Sequence, residues 1–404
     1  MISKALLLKI FSAASMQRWN DKLCSVELVE LDKQAHKMII AYFLGKFEEN
    51  HEDFNWVDII EGGIFELLQR IIITDWKPPI FYRIKKEKEK YKRLNEWAYN
   101  KLESVIEPLG QTFCIKFKAY FLEDDDTLSK RILSAAHFYA TKWEFDIIER
   151  GNPNGYEIND IKRELQERQE KYYDLKGITQ LALYDKHRKF IDLCGQLRFQ
   201  SRWAHLHRTP KTSVLGHLLF VAIFSYLFSS ELGGCSRRCV NNYFTGLFHD
   251  FPEVLTRDIS SPVKKSVAGL IDLIREYEKE QMIKEVYDLI PSEWSSEIKM
   301  FAGMLDEFPD QESEFFSIAK INGEIKKVTS DEINSAYDKD EYNPRDGEIV
   351  KAVDELAAFI EADVAIKNGN VSPELDTSKS SLKKEYEGAY IAGINFGRIY
   401  ADFG

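Results

Sequence analysis

Apolar residues recur three and four positions apart along most of this chain, in 5–12, 34–46, 57–73 and 86–106, and again in 157–199, 214–230, 237–248, 263–289 and 347–366. That spacing lays one apolar stripe along a helix face, so the chain is predicted to be all-α. Strand-like alternation is scarce. Its clearest instance is "FFSIAKINGEIKKV" (315–328), where Asn322-Gly323 separates two semi-alternating runs. Such a pair predicts a small β-hairpin closed by a type I′ turn, which needs two residues of positive φ. The hairpin falls in an acidic, loop-rich stretch, about 306–347, that reads as an insertion between helices.

Two apolar runs have to be told apart from export and membrane signals. "MISKALLLKIFSAAS" is broken by Lys9 and is too short for the apolar centre of a signal peptide, so it reads as a first helix. "VLGHLLFVAIFSYLF" (214–228) falls short of a membrane span and carries His217, which makes it a buried core helix. No membrane association is expected.

"GNPNG" (151–155) cannot continue a helix. It suggests a first domain over 1–150, connecting helices over 151–196 and a second domain over 197–404. The halves share an order of residues. The second has Arg202-Trp203, then His217, then His249-Asp250, then Asp354 in "VKAVDELAAFIEA". The first has Arg18-Trp19, then His36 in "KQAHKMIIAYFL", then Thr74-Asp75 ahead of "WKPPIFYRIKK", then "SKRILSAAHFYATKWEFD". The first half thus reads as an eroded copy of the second, with Thr74 in the place of His249 and Pro78 in the place of Glu253. Helical segments that happen to hold an Arg-Trp and a His align this loosely too, and that alternative stays open. His36, Asp75 and His137 lack a full donor set and read as packing or surface residues.

Composition narrows the class. With 44% hydrophobic and 30% charged residues, 21 Gly and 11 Pro, the chain is an ordinary globular protein. A net charge of -11 argues against a DNA or RNA binder, which needs a basic footprint, and leaves room for a small anionic substrate in a locally basic pocket. Five cysteines form no paired framework, which fits free thiols in a reducing cytoplasm. Cys235 and Cys239 have no second pair with which to clip a zinc ion.

The candidate chemistry is concentrated in "GLFHDFPEVLTRDISSPVKKS" (246–266), which crowds ligand-type side chains behind an apolar run. A histidine on one helix, a His-Asp doublet at the end of another and an aspartate on a further one offer two imidazoles and two carboxylates. Mixed nitrogen and oxygen donors of that kind suit one divalent transition metal such as Mn, Fe, Co or Zn and leave positions open for water and substrate. A cation held so lowers the pKa of water and orients a phosphoryl group.

"HDFPEVLTRDISSPVKK" resembles the segment that marks the 5′-deoxynucleotidase-like branch of the HD-domain metal-dependent phosphohydrolases. There a His-Asp is followed by Glu four residues after the His, then Leu-Thr, an Asp and Pro-Val-Lys. "SRWAHLHRTPKTSVLGH" is similar to the branch's opening segment, with Arg202 fifteen positions before His217, and "EIVKAVDELAAFIEA" is similar to the one carrying the last aspartate. The resemblance covers about 197–366. It implies an HD-domain helical fold, here as a tandem pair with a degenerate first copy. It implies His217, His249, Asp250 and Asp354 as metal ligands and Glu253 as the proton-handling carboxylate. Asp258 would reach the sugar or assist that proton. Arg202 would pair with the substrate phosphate, for which a planar guanidinium offers two parallel donors, and Trp203 would pack against the nucleoside.

The chain departs from the branch in three places. Leu215-Gly216-His217-Leu218 stands where a Ser-Glu-His pattern is usual, removing a carboxylate that would orient the imidazole. Arg257 replaces a small residue, and it either adds a phosphate contact or narrows the pocket. The segment between Asp250 and Asp354 is lengthened by the hairpin insertion. His205, His207 and Arg208 add positive charge nearby. The expected activity is removal of the 5′ phosphate from a (deoxy)nucleoside monophosphate by a cytoplasmic enzyme. Its partners are expected to be a small nucleotide, with no nucleic acid, and a second copy of the chain or the chain's own halves paired as an intramolecular pseudo-dimer. Two alternatives stand beside this: an HD hydrolase of nucleoside triphosphates, cyclic nucleotides or guanosine tetraphosphate, and a nucleotide-sensing or scaffold protein.

Overall fold

A computed structural model describes every residue except Met1, Asp75, Asp124, Ser260, Lys265 and Asp310, with the side chains of Ser261 and Pro262 also outside the description. The chain is helical throughout, with two small two-stranded antiparallel sheets. It divides into two compact units, Met1–Leu183 and Tyr184–Gly404.

The first unit runs α1 (Lys4–Phe11), α2 (Glu30–Glu48), α3 (Trp56–Ile73), α4 (Pro78–Lys86), α5 (Lys88–Ile106), α6 (Gln111–Leu122), α7 (Leu128–Gly151), α8 (Ile158–Gln169) and α9 (Lys176–Leu183). Helix α2 is buried along nearly its whole length, including Glu30, Asp32, Lys33 and Lys37, and packs most extensively on α7. Two sequence readings divide here. The stretch 86–106 is interrupted at Glu87, whose backbone leaves helical geometry at φ -92 and ψ 84, and 157–199 breaks into α8, α9 and a first helix of the next unit. The 151–155 turn lies between α7 and α8, inside this unit.

The second unit runs α10 (Asp185–Gln196), α11 (Val214–Glu231), α12 (Ser236–Phe248), α13 (Glu253–Thr256), α14 (Ser261–Lys264), α15 (Leu270–Glu285), α16 (Ser295–Phe301), the strands β1 (Ile318–Ile321) and β2 (Glu324–Lys327), α17 (Ser330–Glu332), α18 (Gly347–Lys367), α19 (Pro373–Glu385), β3 (Tyr390–Ile391), β4 (Ile394–Asn395) and α20 (Phe396–Ala401). Among the described residues α11 is the one helix long and apolar enough to cross a membrane, yet 89% of it is buried inside its unit. It is buried from Val214 to Ser229 because α12 and α18 close over it. Helix α12 comes closest at Gly246, where a Cβ would lie 2.7 Å from both Cα and N of Ala222, so only glycine lets these backbones touch.

A buried polar hub sets the start of α18. The Asp346 side chain accepts from Ile349 N as N-cap. It also accepts from Arg238 on α12 at 2.7 Å, from Ser317 Oγ at 2.9 Å and from Ser330 Oγ at 2.6 Å, while Asp346 N–H donates to Asn242. The insertion behaves as its sequence predicts: Ile321 pairs with Glu324 across the turn, and Asn322 and Gly323 take φ 54 and 88. The reading of 263–289 as helix holds from Leu270, because Gly269 at φ 81 delays the start.

Each unit enters its long buried helix through the same construction. Residues Gln17 and Val29, and Ser201 and Ser213, form isolated antiparallel bridges. Trp19 and Trp203 take left-handed φ of 54 and 57. Trp19 Nε1 donates to Glu144 at 2.9 Å, and Trp203 Nε1 donates to Glu361 at 2.8 Å.

Candidate metal centre

Helix α11 starts where Ser213 Oγ accepts from Gly216 N at 2.9 Å, and His217 follows in its first turn, wholly buried at the side chain. Its Nε2 lies 2.8 Å from Asp354 Oδ1 on α18 and 4.0 Å from Asp250 Oδ2. His249 caps the C-terminus of α12. Its Nδ1–H donates to Gly246 O at 3.0 Å, which turns Nε2 toward Asp250 Oδ2 at 3.4 Å and Asp354 Oδ1 at 3.8 Å. The donor atoms of His217, His249 and Asp354 all lie within 4.8 Å of one another. Glycine at 246 therefore serves twice, bringing the two histidine helices together and orienting one imidazole.

The donor set fits a divalent cation. Both Nε2 atoms are buried and turn toward the Asp354 and Asp250 carboxylates, so two imidazole nitrogens and carboxylate oxygens converge as donors for one cation. Burial would raise the Asp354 carboxyl, but the imidazoles of His217 and His249 outweigh it and hold it well below the usual range. Asp354 and Asp250 each keep 24% of their side-chain surface open, so the centre has a mouth. The converging donors of His217, His249 and Asp354 match the mixed N and O preference of Mn²⁺, Fe²⁺, Co²⁺ or Zn²⁺ with positions left over.

Beside the centre opens a cavity of about 640 Å³, counted to its open mouth, onto which His249, Asp250, Glu253, Lys264 and Arg275 face. Burial, then the neighbouring Asp250 and Asp258 carboxylates, push the Glu253 carboxyl well above its ordinary value. Its Oε1 lies 3.5 Å from Lys264 Nζ, and its Oε2 is buried without a partner. Asp258, half-buried, is raised by burial against the opposing pull of Arg202. Arg202 lies with NH1 3.6 Å from Asp250 Oδ2 and Nε 3.3 Å from Glu361 Oε2.

The structure brings His217, His249, Asp250, Asp354, Glu253, Asp258 and Arg202 into one neighbourhood. Trp203 is tied instead through its N–H to Glu361, and its ring packs on the cluster of Ala362, Ala365 and Leu375. Arg257 is exposed, and its backbone, at φ 69, closes α13 by donating to Glu253 O at 2.7 Å. It does not line the cavity. Arg208 is buried and bonded to Thr212, whereas His205 and His207 are exposed.

Two further residues escaped sequence reasoning. Glu361 is 2% exposed and accepts from Trp203, Arg202 and Thr212 Oγ1, the last at 2.7 Å. Its Oε1 lies 4.0 Å from His217 Nδ1. Burial raises its carboxyl, but Arg202, Arg208 and His217 bring it down to about 2. It holds Arg202 and Trp203 in place, and at 4.0 Å it does not hydrogen-bond the His217 imidazole. The available signal was its place seven residues beyond Asp354, on the same face of α18. The other is Glu314, from the insertion, which faces the cavity near His249 and is pushed by burial to about 8.

Residues 194–383 match the family model described as HD domain, just under half of the chain and all of the centre. No curated protein matches the chain. Over the matched residues the all-α second unit is similar to HD domains, which are typically metal-dependent hydrolases, and it holds a His/Asp cluster suited to a divalent metal.

Proposed function

We propose that the second unit removes the 5′ phosphate from nucleoside monophosphates, using one divalent transition metal held by His217, His249, Asp250 and Asp354. The observation that carries this reading is two buried imidazole Nε2 atoms converging with carboxylates at the edge of a cavity. When bound, the cation supplies an activated water and positive charge against the phosphoryl oxygens. Arg202, steadied by Glu361, binds the remaining phosphate oxygens. Glu253, whose carboxyl is pushed well above its ordinary value by burial and by Asp250 and Asp258, gives its proton to the leaving 5′ oxygen, with Asp258 beside it. Arg202 and Asp258 next to a single metal centre favour a monoester over longer polyphosphates. We read the first unit as a degenerate copy of the second, from the bridge, Arg-Trp turn and tryptophan-to-glutamate bond that each repeats.

The test is to incubate the protein with Mn²⁺ or Co²⁺ and a panel of nucleoside mono-, di-, tri- and cyclic phosphates, with Asp250→Ala as control. Nucleoside and orthophosphate from monophosphates, absent with the variant, are expected. Turnover confined to triphosphates or cyclic nucleotides would replace the substrate class, and no turnover with metal bound would leave a sensor. With Glu253 as acid, kcat/KM is expected to fall as pH rises through its elevated pKa, and Glu253→Gln should remove that limb from the pH profile.

A further inference from the structure

The first unit can be aligned with the second by counting along each from the features they share. Lys33 is the fourth residue of α2 beyond its N-cap Val29, as His217 is the fourth of α11 beyond Ser213. His137 precedes Glu144 by seven on α7, as Asp354 precedes Glu361 on α18. Gly63 faces the Met38 side chain, nine beyond its cap, and Gly246 faces the backbone of Ala222, nine beyond its own. Counting three onward places Glu66 at His249 and Leu67 at Asp250. The register closes independently at the far end: Thr74 N donates to Arg70 O at 2.9 Å with φ 59, and Arg257 N donates to Glu253 O at 2.7 Å with φ 69. Thr74 therefore answers to Arg257 rather than to His249, and Arg70 to Glu253. His36 packs edge-on against Trp143 and is no counterpart of His217. Asp75, which would answer to Asp258, lies outside the described residues.

All four donors are thereby exchanged, and the polar replacements find partners within the unit. The Lys33 amine is bonded to His137 Nδ1. Glu66 is paired with Lys37 and accepts from Tyr120. Arg18 is engaged on both sides: Nε with Glu144 at 3.0 Å, and NH1 with Glu30 at 2.6 Å. Arg70 Nε lies 3.5 Å from the same Glu30 oxygen. In the second unit the residue at the position of Glu30 is Val214, and Arg202 NH1 has no carboxylate closer than Asp250 at 3.6 Å.

We propose that the first unit's pocket is closed from within: the Lys33 amine, bonded to His137, fills the metal's seat, and the Glu30 carboxylate occupies, between Arg18 and Arg70, the place a substrate phosphate takes at Arg202. The second half of this statement rests on the phosphate role of Arg202 given above. The first unit accordingly takes up neither a divalent metal nor an oxyanion, and removing Glu30 uncovers an oxyanion site lined by Arg18 and Arg70.

The test uses the full chain in two measurements. Metal analysis after dialysis against Mn²⁺ should give one ion per chain, reduced to none by His217→Ala. A second ion surviving that substitution would overturn the proposal. Glu30→Ala, and the isosteric Glu30→Gln in case the first does not fold, should lower the melting temperature by about 10 °C in chelator, because buried arginines lose their partner. Inorganic phosphate should then restore much of the loss in the variants while moving the wild-type protein in chelator far less. A Glu30 variant indifferent to phosphate would overturn the proposal. Phosphate rescue in a chain that binds no metal would uphold it and sink the catalytic reading of the second unit instead.

Discussion

Glu361 concentrates more interactions than any residue sequence reasoning singled out. A carboxylate held down to about 2 contributes stability that is fully present above its ordinary pKa of about 4.3 and is lost as pH falls through about 2. Two units of depression in a group 2% exposed correspond to about 3 kcal/mol. Glu361→Gln should therefore flatten the loss of stability between pH 5 and pH 2, followed by chemical denaturation at each pH. It should also raise KM for the phosphate substrate by roughly tenfold, the effect of one loosened charge-assisted contact, with a smaller change in kcat. Arg257 makes the opposite case. Its left-handed backbone is a strain of about 1 kcal/mol that glycine relieves, and its side chain is directed to solvent. Arg257→Gly should raise the melting temperature and leave KM within twofold. A KM rise of tenfold or more would restore it as a phosphate contact.

At the scale of elements, the closest helix contact and the metal centre share one residue. Gly246→Ala drives a methyl group into the backbone of Ala222, at a cost of about 1–3 kcal/mol. Because Gly246 O also orients His249, metal affinity should fall along with stability, which titration calorimetry with Mn²⁺ would register; an unchanged affinity would separate the two roles. The helices themselves were largely legible in the sequence. The readings 57–73, 214–230, 237–248 and 347–366 match α3, α11, α12 and α18 to within a residue or so at each end, since long apolar stripes on buried helices leave little ambiguity. The breaks at Glu87 and Tyr184 carry no glycine or proline signal and went unread. So did the orienting role of Glu361, whose partners Arg202 and Trp203 lie 159 and 158 residues away. Within the site, His217, His249 and Asp354 were legible because a His-Asp doublet and two residues on apolar helix faces carry local signals. The register proposed for the first unit was not, because Lys33, Glu66 and His137 bear no likeness to the residues proposed as their counterparts.

At the scale of the whole molecule, the described residues hold one candidate metal centre, in the second unit. A ligand that binds only the folded state stabilises the structure it touches by about 2.7 kcal/mol at 100 times its Kd. Hydrogen exchange with and without chelator should then show faster exchange in α11, α12 and α18 once metal is removed, and unchanged exchange in α2 and α7. Protection lost equally from α2 would mean that metal is felt in the first unit as well.

Helix α18 carries both Asp354, among the metal donors, and Glu361, the tether of Arg202, two turns apart on a single rigid rod. On the proposed function, a sub-ångström slide or roll of that rod would displace cation and phosphate grip together. Selection acting on either property is consequently confined to moves that suit both, and a variant library randomised along the buried face of α18 should yield metal preference and substrate affinity as correlated traits rather than as independent ones.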